Sequence, residues 1–128
     1  METINWQTLY ARAVASCQPR DVSNSVYAGS VAAALVTSRG TVFTGVSVDT
    51  ACSLGFCAER NALGSMLTAG EQTVTRIVAV RGREILMPCG ACREFLRQLG
   101  NPDVEVLVQL APLVSVKLKE LLPRYWQA

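Results

Sequence analysis

The chain has 128 residues, of which 50% are hydrophobic and 17% are charged, and its formal net charge is +2. This length suits a single domain over residues 1–128, and the apolar share excludes a disordered chain. The twelve lysines and arginines are scattered rather than massed in a basic stripe, which excludes a nucleic-acid polymer as the expected partner.

Hydrophobic spacing places the predicted elements of the first half of the chain. A first helix is predicted from about Trp6 to Cys17, and Pro19 follows it. The polar stretch 18–25 and the segment 27–29 are interpreted as loops. The apolar run 31–36 and the alternating run 41–48 flank a short turn that ends at Gly40, a pattern that favours an antiparallel hairpin.

Helix and strand signals alternate through the second half of the chain. Residues 57–68 predict a helix that ends at Gly70, and residues 89–99 predict another that ends at Gly100. Strands are predicted at 74–80, 104–108 and 113–116, with a helical turn at 117–122 before Pro123. This order predicts an α/β fold in which a mixed sheet lies between helices.

The cysteines limit the chemistry that the chain can support. No apolar run is long enough to cross a bilayer, and residues 1–10 lack the basic region of an export signal, so we expect a cytoplasmic protein with reduced thiols. Five unevenly spaced cysteines then favour metal ligands plus spectators over a disulfide framework. Because the sequence has no histidine, sulfur and oxygen are the ligands it offers to zinc.

Two cysteine-containing segments stand at the starts of predicted helices. The first is Cys57-Ala58-Glu59, and the second contains Cys89 and Cys92, which are three apart and therefore face the same way on a helical turn. Helix N-termini favour thiolates, which are the form that binds a metal. Three thiolates can converge where the two helices begin and leave the fourth tetrahedral position to water, as in a catalytic zinc site.

The residues after Cys57 supply the groups that such a site needs for catalysis. Three thiolates around Zn²⁺ leave a net negative charge, so Arg60 is predicted to balance it, with Arg93 as a weaker candidate. Zinc lowers the pKa of bound water to about 7. Glu59 is not a ligand, and it is placed to take the proton of the water and pass it to a ring nitrogen and then to the departing amine.

Other interpretations of these cysteines remain open at this point. Cys52 or Cys17 can close a structural four-cysteine site, although Cys17 fits a core position and Cys52 a loop. A redox role for Cys89 and Cys92 leaves the segment around Cys57 unexplained. A zinc-stabilised module without catalysis is a further alternative, but it has no use for the carboxylate of Glu59.

The two segments, read as Cys57-Ala58-Glu59-Arg60 and Pro88-Cys89-Gly90-Ala91-Cys92-Arg93, resemble the small cytidine deaminases. Segments 31–34 and 120–123 extend the likeness over nearly the whole chain. The resemblance implies a three-layer α/β/α sandwich with a five-stranded mixed sheet and one zinc ion per subunit. It also implies a homotetramer whose active sites borrow residues from neighbouring subunits.

The sequence differs from that family at the positions with which the family binds ribose. The family has Asn and Glu two residues apart on the second strand, whereas Ser47 and Asp49 stand there in this chain. Both are shorter, so a standard ribose clamp is hard to reproduce. The family also has a Phe just before the first strand, where this chain has Gly29. We therefore expect hydrolysis of a free cytosine-type heterocycle, with cytidine itself open.

The C-terminus is similar to that of a relative that deaminates the antibiotic blasticidin S. Leu121-Leu122-Pro123 precedes Tyr125 and Trp126, which the resemblance places over a bound ring; simple packing of the tail is the alternative. Backbone groups around Phe56, Ala58 and 85–87 are further candidates for substrate binding. The charged residues Arg93, Glu94 and Arg97 are interpreted as a solvated helix face.

Overall fold

The computed structural model describes residues 4–127, so residues 1–3 of the segment inspected for an export signal, and residue 128 of the expected domain, lie outside it. The helices are α1 (Trp6–Ser16), α2 (Ala58–Thr68) and α3 (Gly90–Gln98), with a 3₁₀ helix at Leu118–Leu121. The strands are β1 (Arg20–Ser23), β2 (Val26–Thr37), β3 (Val42–Thr50), β4 (Val74–Arg81), β5 (Glu84–Leu86), β6 (Glu105–Gln109) and β7 (Val114–Lys117).

The sheet is mixed and has β2 and β4 at its centre. Strand β2 pairs antiparallel with β3 and β4, β4 pairs parallel with β6, and β6 pairs antiparallel with β7. These five strands are the five that the sequence predicts. The short strands β1 and β5 extend the sheet beside β2 and β4, so the count is seven rather than five.

Two predictions about the first half of the chain were wrong. Residues 20–23 form β1 instead of a loop, and β2 begins at Val26, so residues 27–29 lie within a strand. All four residues of β1 are exposed, which removes the alternation by which a strand is recognised in sequence. The other predicted helices and strands differ from the observed ones by one or two residues at their ends.

Helices cover both faces of the sheet, which confirms the α/β/α arrangement. Along β2 the side chains alternate between the faces. Ala32 and Ala34 pack in one cluster with Leu9 of α1, whereas Leu35 packs in another with Leu63 of α2. Both leucines of the helices are fully buried, and each such burial contributes about 1.5–3 kcal/mol. The core therefore lies in two layers, and α2 and α3 share one of them.

Helix α2 approaches the sheet closely at Gly45 of β3. A Cβ atom at Gly45 would lie 2.4 Å from the amide nitrogen of Ala62 and 2.7 Å from the carbonyl oxygen of Ala58. Side chains do not come so close to backbone atoms, so only glycine allows this contact. The close packing fixes the first turn of α2 against β3.

None of the helices formed by residues 4–127 is long and apolar enough to span a bilayer.

A three-cysteine metal centre in a polar cavity

Three cysteine sulfurs meet where α2 and α3 begin. The Sγ atom of Cys89 lies 3.4 Å from that of Cys57 and 3.4 Å from that of Cys92. All three sulfurs lie within 4.8 Å of one another. Cys57 is the N-cap residue of α2 and Cys89 is the N-cap residue of α3. The two helix starts therefore place three candidate ligands around one point.

The spacing of the sulfurs fits a zinc ion. With Zn–S bonds of about 2.3 Å, tetrahedral geometry separates two sulfurs by about 3.8 Å. The cluster consists of Cys57, Cys89 and Cys92 alone among the described residues, so Cys17 and Cys52 do not close it. Three thiolates leave one tetrahedral position for a non-protein ligand, which favours a catalytic over a structural site.

The electrostatic surroundings of the three thiols differ. Burial raises the pKa of Cys92 and of Cys57, which therefore hold their protons more tightly without a metal. Burial acts in the same direction on Cys89, but hydrogen bonds from the amide of Cys92 and from the neighbouring thiols outweigh it and lower the pKa of Cys89. Of the three thiols, Cys89 is thus the one most readily ionised. The expectation that both helix N-termini lower the pKa of their cysteine holds for Cys89 and was wrong for Cys57, where burial dominates.

A positive charge lies beside this sulfur cluster. The Nη2 atom of Arg60 is 3.9 Å from the Sγ atom of Cys57, and the Nε atom of Arg60 is buried without a hydrogen-bond partner among the described residues. Arg93, the weaker candidate for this role, instead donates from Nε to the carbonyl oxygen of Pro88 at 2.7 Å. Arg60 is therefore the residue placed to offset thiolate charge.

Glu59 projects from the first turn of α2 and is 5% exposed. Burial raises the pKa of its carboxyl group, and only a part of this effect is offset by a backbone hydrogen bond and by Arg60. A buried carboxylate with an increased proton affinity is suited to accept and return protons.

Glu59, Cys57 and Cys89 open onto a cavity of about 610 Å³, whereas Cys92 is buried behind them. The cavity contains most of the residues that the sequence predicts to act on substrate. The predicted site residues in its wall are Ser47, Asp49, Phe56, Cys57, Ala58, Glu59, Arg60 and Cys89, together with Leu86 and Met87 of the predicted segment 85–87. Three of them, Asp49, Phe56 and Cys89, are exposed, and Phe56 presents 41% of its surface.

The comparisons with known proteins agree with this geometry. Residues 5–108 match the model of the cytidine and deoxycytidylate deaminase zinc-binding region. The chain belongs to this deaminase family. The match covers both cysteine segments and the whole of the sheet as far as β6. It confirms the family, zinc as the cofactor, and hydrolysis of a C–N bond as the reaction class.

Individual proteins to which the chain is similar are cytidine and blasticidin-S deaminases. The chain is 32% identical over 104 residues to a blasticidin-S deaminase of Bacillus cereus. This alignment spans 73% of this chain and 74% of that protein. It is 38% identical over 77 residues to a probable cytidine deaminase of Dictyostelium discoideum, an alignment that spans 58% of this chain and about half (52%) of that protein. The crystal structure of a cytidine deaminase from Mycobacterium leprae superposes with a TM-score of 0.79 at 30% identity, covering 94% of this chain and 99% of that one.

Ser47 of the deaminase is tied to a bulge in β2. Its Oγ atom accepts a hydrogen bond from the amide of Val31 at 3.1 Å and lies 3.3 Å from the Oγ atom of Ser30. The register between β2 and β3 shifts at this bulge, and Ser47 is 8% exposed. Gly29 lies within the bulge with φ +87°, and a Cβ atom there would lie 2.2 Å from the carbonyl oxygen of Gln18. Position 29 has no room for the aromatic ring of the family.

The C-terminal aromatic residues lie on α3 rather than in the cavity wall of their own chain. Tyr125 and Trp126 both donate hydrogen bonds to the carboxylate of Glu94, and the guanidinium of Arg97 stacks on the Tyr125 ring at 4.8 Å from its centroid. The prediction that Arg93, Glu94 and Arg97 form a solvated face was therefore wrong. The tail packs on Glu94 and Arg97, and Arg93 donates to the carbonyl oxygens of Pro88 and Leu121.

Three polar residues of the cavity wall, Thr50, Ser53 and Arg81, have no signal in the sequence motifs. Thr50 is the last residue of β3 and Ser53 follows it, so both continue the segment that carries the predicted residues Ser47 and Asp49. Arg81 ends β4 and pairs with Glu84 of β5, next to the predicted segment 85–87. This strand pairing, which the sequence does not state, is what brings Arg81 to the cavity.

Proposed function

We propose that this deaminase hydrolyses the exocyclic C–N bond of a free cytosine-type nucleoside, nucleobase or analogue and releases ammonia. The observation that carries the proposal is the position of Glu59. Its buried carboxylate lies two residues after Cys57, in the wall of the cavity that the sulfur cluster adjoins. A structural metal site has no use for a buried acid in that place.

In this proposal Cys57, Cys89 and Cys92 bind the zinc ion. When bound, zinc supplies a Lewis acid that activates water at neutral pH. Burial of two of the thiols favours their protonated forms, so Arg60 contributes by stabilising the thiolate of Cys57. The positive guanidinium thereby favours the ionised state that the metal requires.

Glu59 carries the protons of the reaction. Its carboxylate accepts one proton from the attacking water, whose oxygen forms a bond to the carbon that bears the amine. Glu59 gives this proton to the adjacent ring nitrogen. It then accepts the proton of the new hydroxyl group and gives it to the amine, which leaves as ammonia while the carbonyl forms. Atoms and charges balance, and Glu59 returns to its starting state.

We propose different roles for Ser47 and Asp49, the two residues at the family's ribose-clamp positions. Ser47 is engaged with the bulge at Ser30 and Val31, so it has little capacity left for a substrate. The side chain of Asp49 forms no hydrogen bond or ion pair with any of residues 4–127 and lines the cavity. We assign the substrate hydroxyl or amine contact to Asp49, contact with the ring to Phe56, and a backbone contact to Ala58.

A small-molecule substrate is favoured over a polymer. The polar cavity is of the size that takes a small ligand, and the chain has no concentrated basic surface for a phosphate backbone. The described part of the chain also contributes only one aromatic side chain to the cavity wall, Phe56, where single-strand binders use several to stack bases.

A second candidate is an antibiotic of the blasticidin S type. The 32% identity to a blasticidin-S deaminase over 104 residues favours it, as does the engagement of Ser47, which weakens a ribose clamp. The zinc site and Glu59 act identically in both cases. The candidates differ only in what Asp49 and the outer cavity hold.

A homotetramer in the cytoplasm is the assembly we propose. Leu54 and Trp126 expose 80% and 72% of their surfaces, and such large apolar residues commonly lie at subunit contacts. Since Tyr125 and Trp126 do not line their own cavity, they would reach a substrate only in the site of a neighbouring subunit. Light scattering of the purified protein tests this: a tetramer supports it, and a monomer at assay concentration contradicts it.

Ammonia release by the zinc-loaded protein tests the substrate class. The panel is cytidine, deoxycytidine, cytosine and blasticidin S at matched concentrations. Turnover of cytidine, deoxycytidine or cytosine supports the first proposal, and turnover of blasticidin S alone supports the second candidate. Release from none of them, with zinc bound, contradicts both.

A further inference from the structure

Arg93 connects the loop that carries Cys89 to the C-terminal part of the chain. Its Nε atom donates to the carbonyl oxygen of Pro88 at 2.7 Å, and its Nη1 atom donates to the carbonyl oxygen of Leu121 at 3.2 Å. The side chain is half-buried, so these contacts are partly shielded from water. One guanidinium thus holds two backbone groups that are far apart in sequence.

The first of these carbonyl groups belongs to the peptide bond that leads into Cys89. Pro88 is buried, and the polar groups of this peptide are the carbonyl oxygen of Pro88 and the N–H of Cys89. Arg93 holds the first of them. Hydrogen bonds from a charged donor are roughly twice as strong as neutral ones. Fixing the peptide plane before Cys89 restricts the direction in which its thiol points.

The second carbonyl group anchors Arg93 to a packed part of the chain. Leu121 is the last residue of the 3₁₀ helix, where carbonyl oxygens lack partners within the helix. Leu121 also packs against the buried cluster that includes Leu96 of α3 and Leu118. The guanidinium therefore lies between the packed segment at Leu121 and the loop at Pro88 and Cys89. Its two hydrogen bonds restrict the movement of that loop relative to the packed segment.

We propose that Arg93 is a positioning residue that sets how firmly Cys89 holds zinc. It acts through the carbonyl oxygen of Pro88 and not by contact with a sulfur, which distinguishes it from Arg60. The inference rests on the proposed function only in taking Cys89 as a zinc ligand. It does not require that any substrate be turned over.

The release of zinc from the full-length, zinc-loaded protein tests this inference. The rate is measured by transfer of zinc to a chromophoric chelator, and Co²⁺ replaces zinc in a parallel sample to report thiolate–metal absorption. Groups that orient metal ligands from outside the first coordination layer typically contribute 10–100-fold to metal affinity. We expect Arg93→Gln to release zinc about 10–100-fold faster and to alter the Co²⁺–thiolate band. Arg93→Lys retains the charge but carries its donors on a single nitrogen, which cannot reproduce the two contacts made by Nε and Nη1, so we expect an intermediate rate.

Two controls separate positioning from general loss of stability. Val78→Ala shortens a buried side chain on the α1 face of the sheet and lowers stability without touching α3. Arg12→Gln removes an exposed arginine of α1 and matches the charge change. We expect both controls to release zinc at the wild-type rate.

Two outcomes would overturn the inference. One is a wild-type rate of zinc release from Arg93→Gln. The other is an equal acceleration by Val78→Ala at the same loss of thermal stability. A protein that binds zinc with this dependence on Arg93 but deaminates nothing would contradict the proposed function and leave the positioning role in place, so the two failures are distinguishable.

Discussion

The sulfur atoms of Cys57 and Cys89 lie 3.4 Å apart although 32 positions separate the two residues in the chain. Each residue is the N-cap of its own helix, and those helices have few other contacts with one another. A metal ion bound by both therefore adds a cross-link between α2 and α3. This link would join the helix that carries Glu59 to the helix that begins with Cys89 and carries Cys92.

Removal of one ligand should abolish zinc binding and weaken this link. We expect Cys89→Ala to lose most of its zinc and to unfold at a lower temperature than the wild-type protein, because metal binding contributes to folding free energy. Elemental analysis and thermal denaturation measure the two effects. Cys52→Ala removes an exposed cysteine outside the cluster and should keep its zinc. Full zinc occupancy in Cys89→Ala would contradict the ligand assignment.

Chelation should change which thiols react. In the zinc-loaded protein Cys52 is the exposed cysteine that no metal protects. We expect a thiol reagent to modify Cys52 rapidly in that state, and to modify Cys57 and Cys89 as well once zinc is removed, since thiolates bound to zinc react slowly. Mass spectrometry of the labelled peptides measures this. Equal labelling of Cys89 with and without zinc would show that it is not a ligand.

Two glycines offer a matched test of how α2 is positioned. Gly45→Ala places a methyl group 2.4 Å from the amide nitrogen of Ala62, so we expect a loss of about 1–3 kcal/mol in the free energy of unfolding. Gly64→Ala lies on the open face of α2 with nothing within 4 Å, and should gain about 0.5–1 kcal/mol from helix propensity. Urea denaturation measures both, and equal effects of the two would refute the close contact at Gly45.

The assignments of Ser47 and Asp49 lead to opposite outcomes on substitution. Ser47→Ala leaves the amide of Val31 without its partner, so we expect a loss of about 1–3 kcal/mol in stability. Asp49→Asn removes a charge that lines the cavity without breaking a contact among the described residues, so it should increase KM and leave the unfolding free energy near the wild-type value. A higher KM from Ser47→Ala at unchanged stability would reverse the two roles.

The metal centre is predictable from the sequence because its information is local. Cys89 and Cys92 are one helical turn apart, and Cys57 and Glu59 stand together at a helix start, so secondary structure and zinc chemistry suffice to propose the site. Strands β2, β3, β4, β6 and β7 and the helices on both faces of the sheet are also predictable, because hydrophobic spacing along each segment indicates them.

Other features depend on contacts between distant parts of the chain. Strand β1 is exposed throughout and forms only because β2 offers its edge. The turn of the tail at Arg124, which has φ +54°, brings Tyr125 and Trp126 to Glu94, some thirty residues earlier in the chain. The proposed role of Arg93 likewise depends on its hydrogen bonds to the carbonyl oxygens of Pro88 and Leu121, which the fold brings close to α3. No periodicity or motif encodes such pairings.

The central claim is that Glu59 moves the protons of a zinc-dependent deamination. The most direct test is the ammonia release of zinc-loaded Glu59→Gln, assayed beside the wild-type protein and Glu84→Gln, an exposed acid of β5 as control, on whichever panel substrate the wild-type protein turns over. Glutamine keeps the size of the side chain but cannot carry a proton. We expect kcat to fall by about 10²–10⁴ with zinc content unchanged, and Glu84→Gln to match the wild type. Wild-type turnover by zinc-loaded Glu59→Gln would contradict the claim.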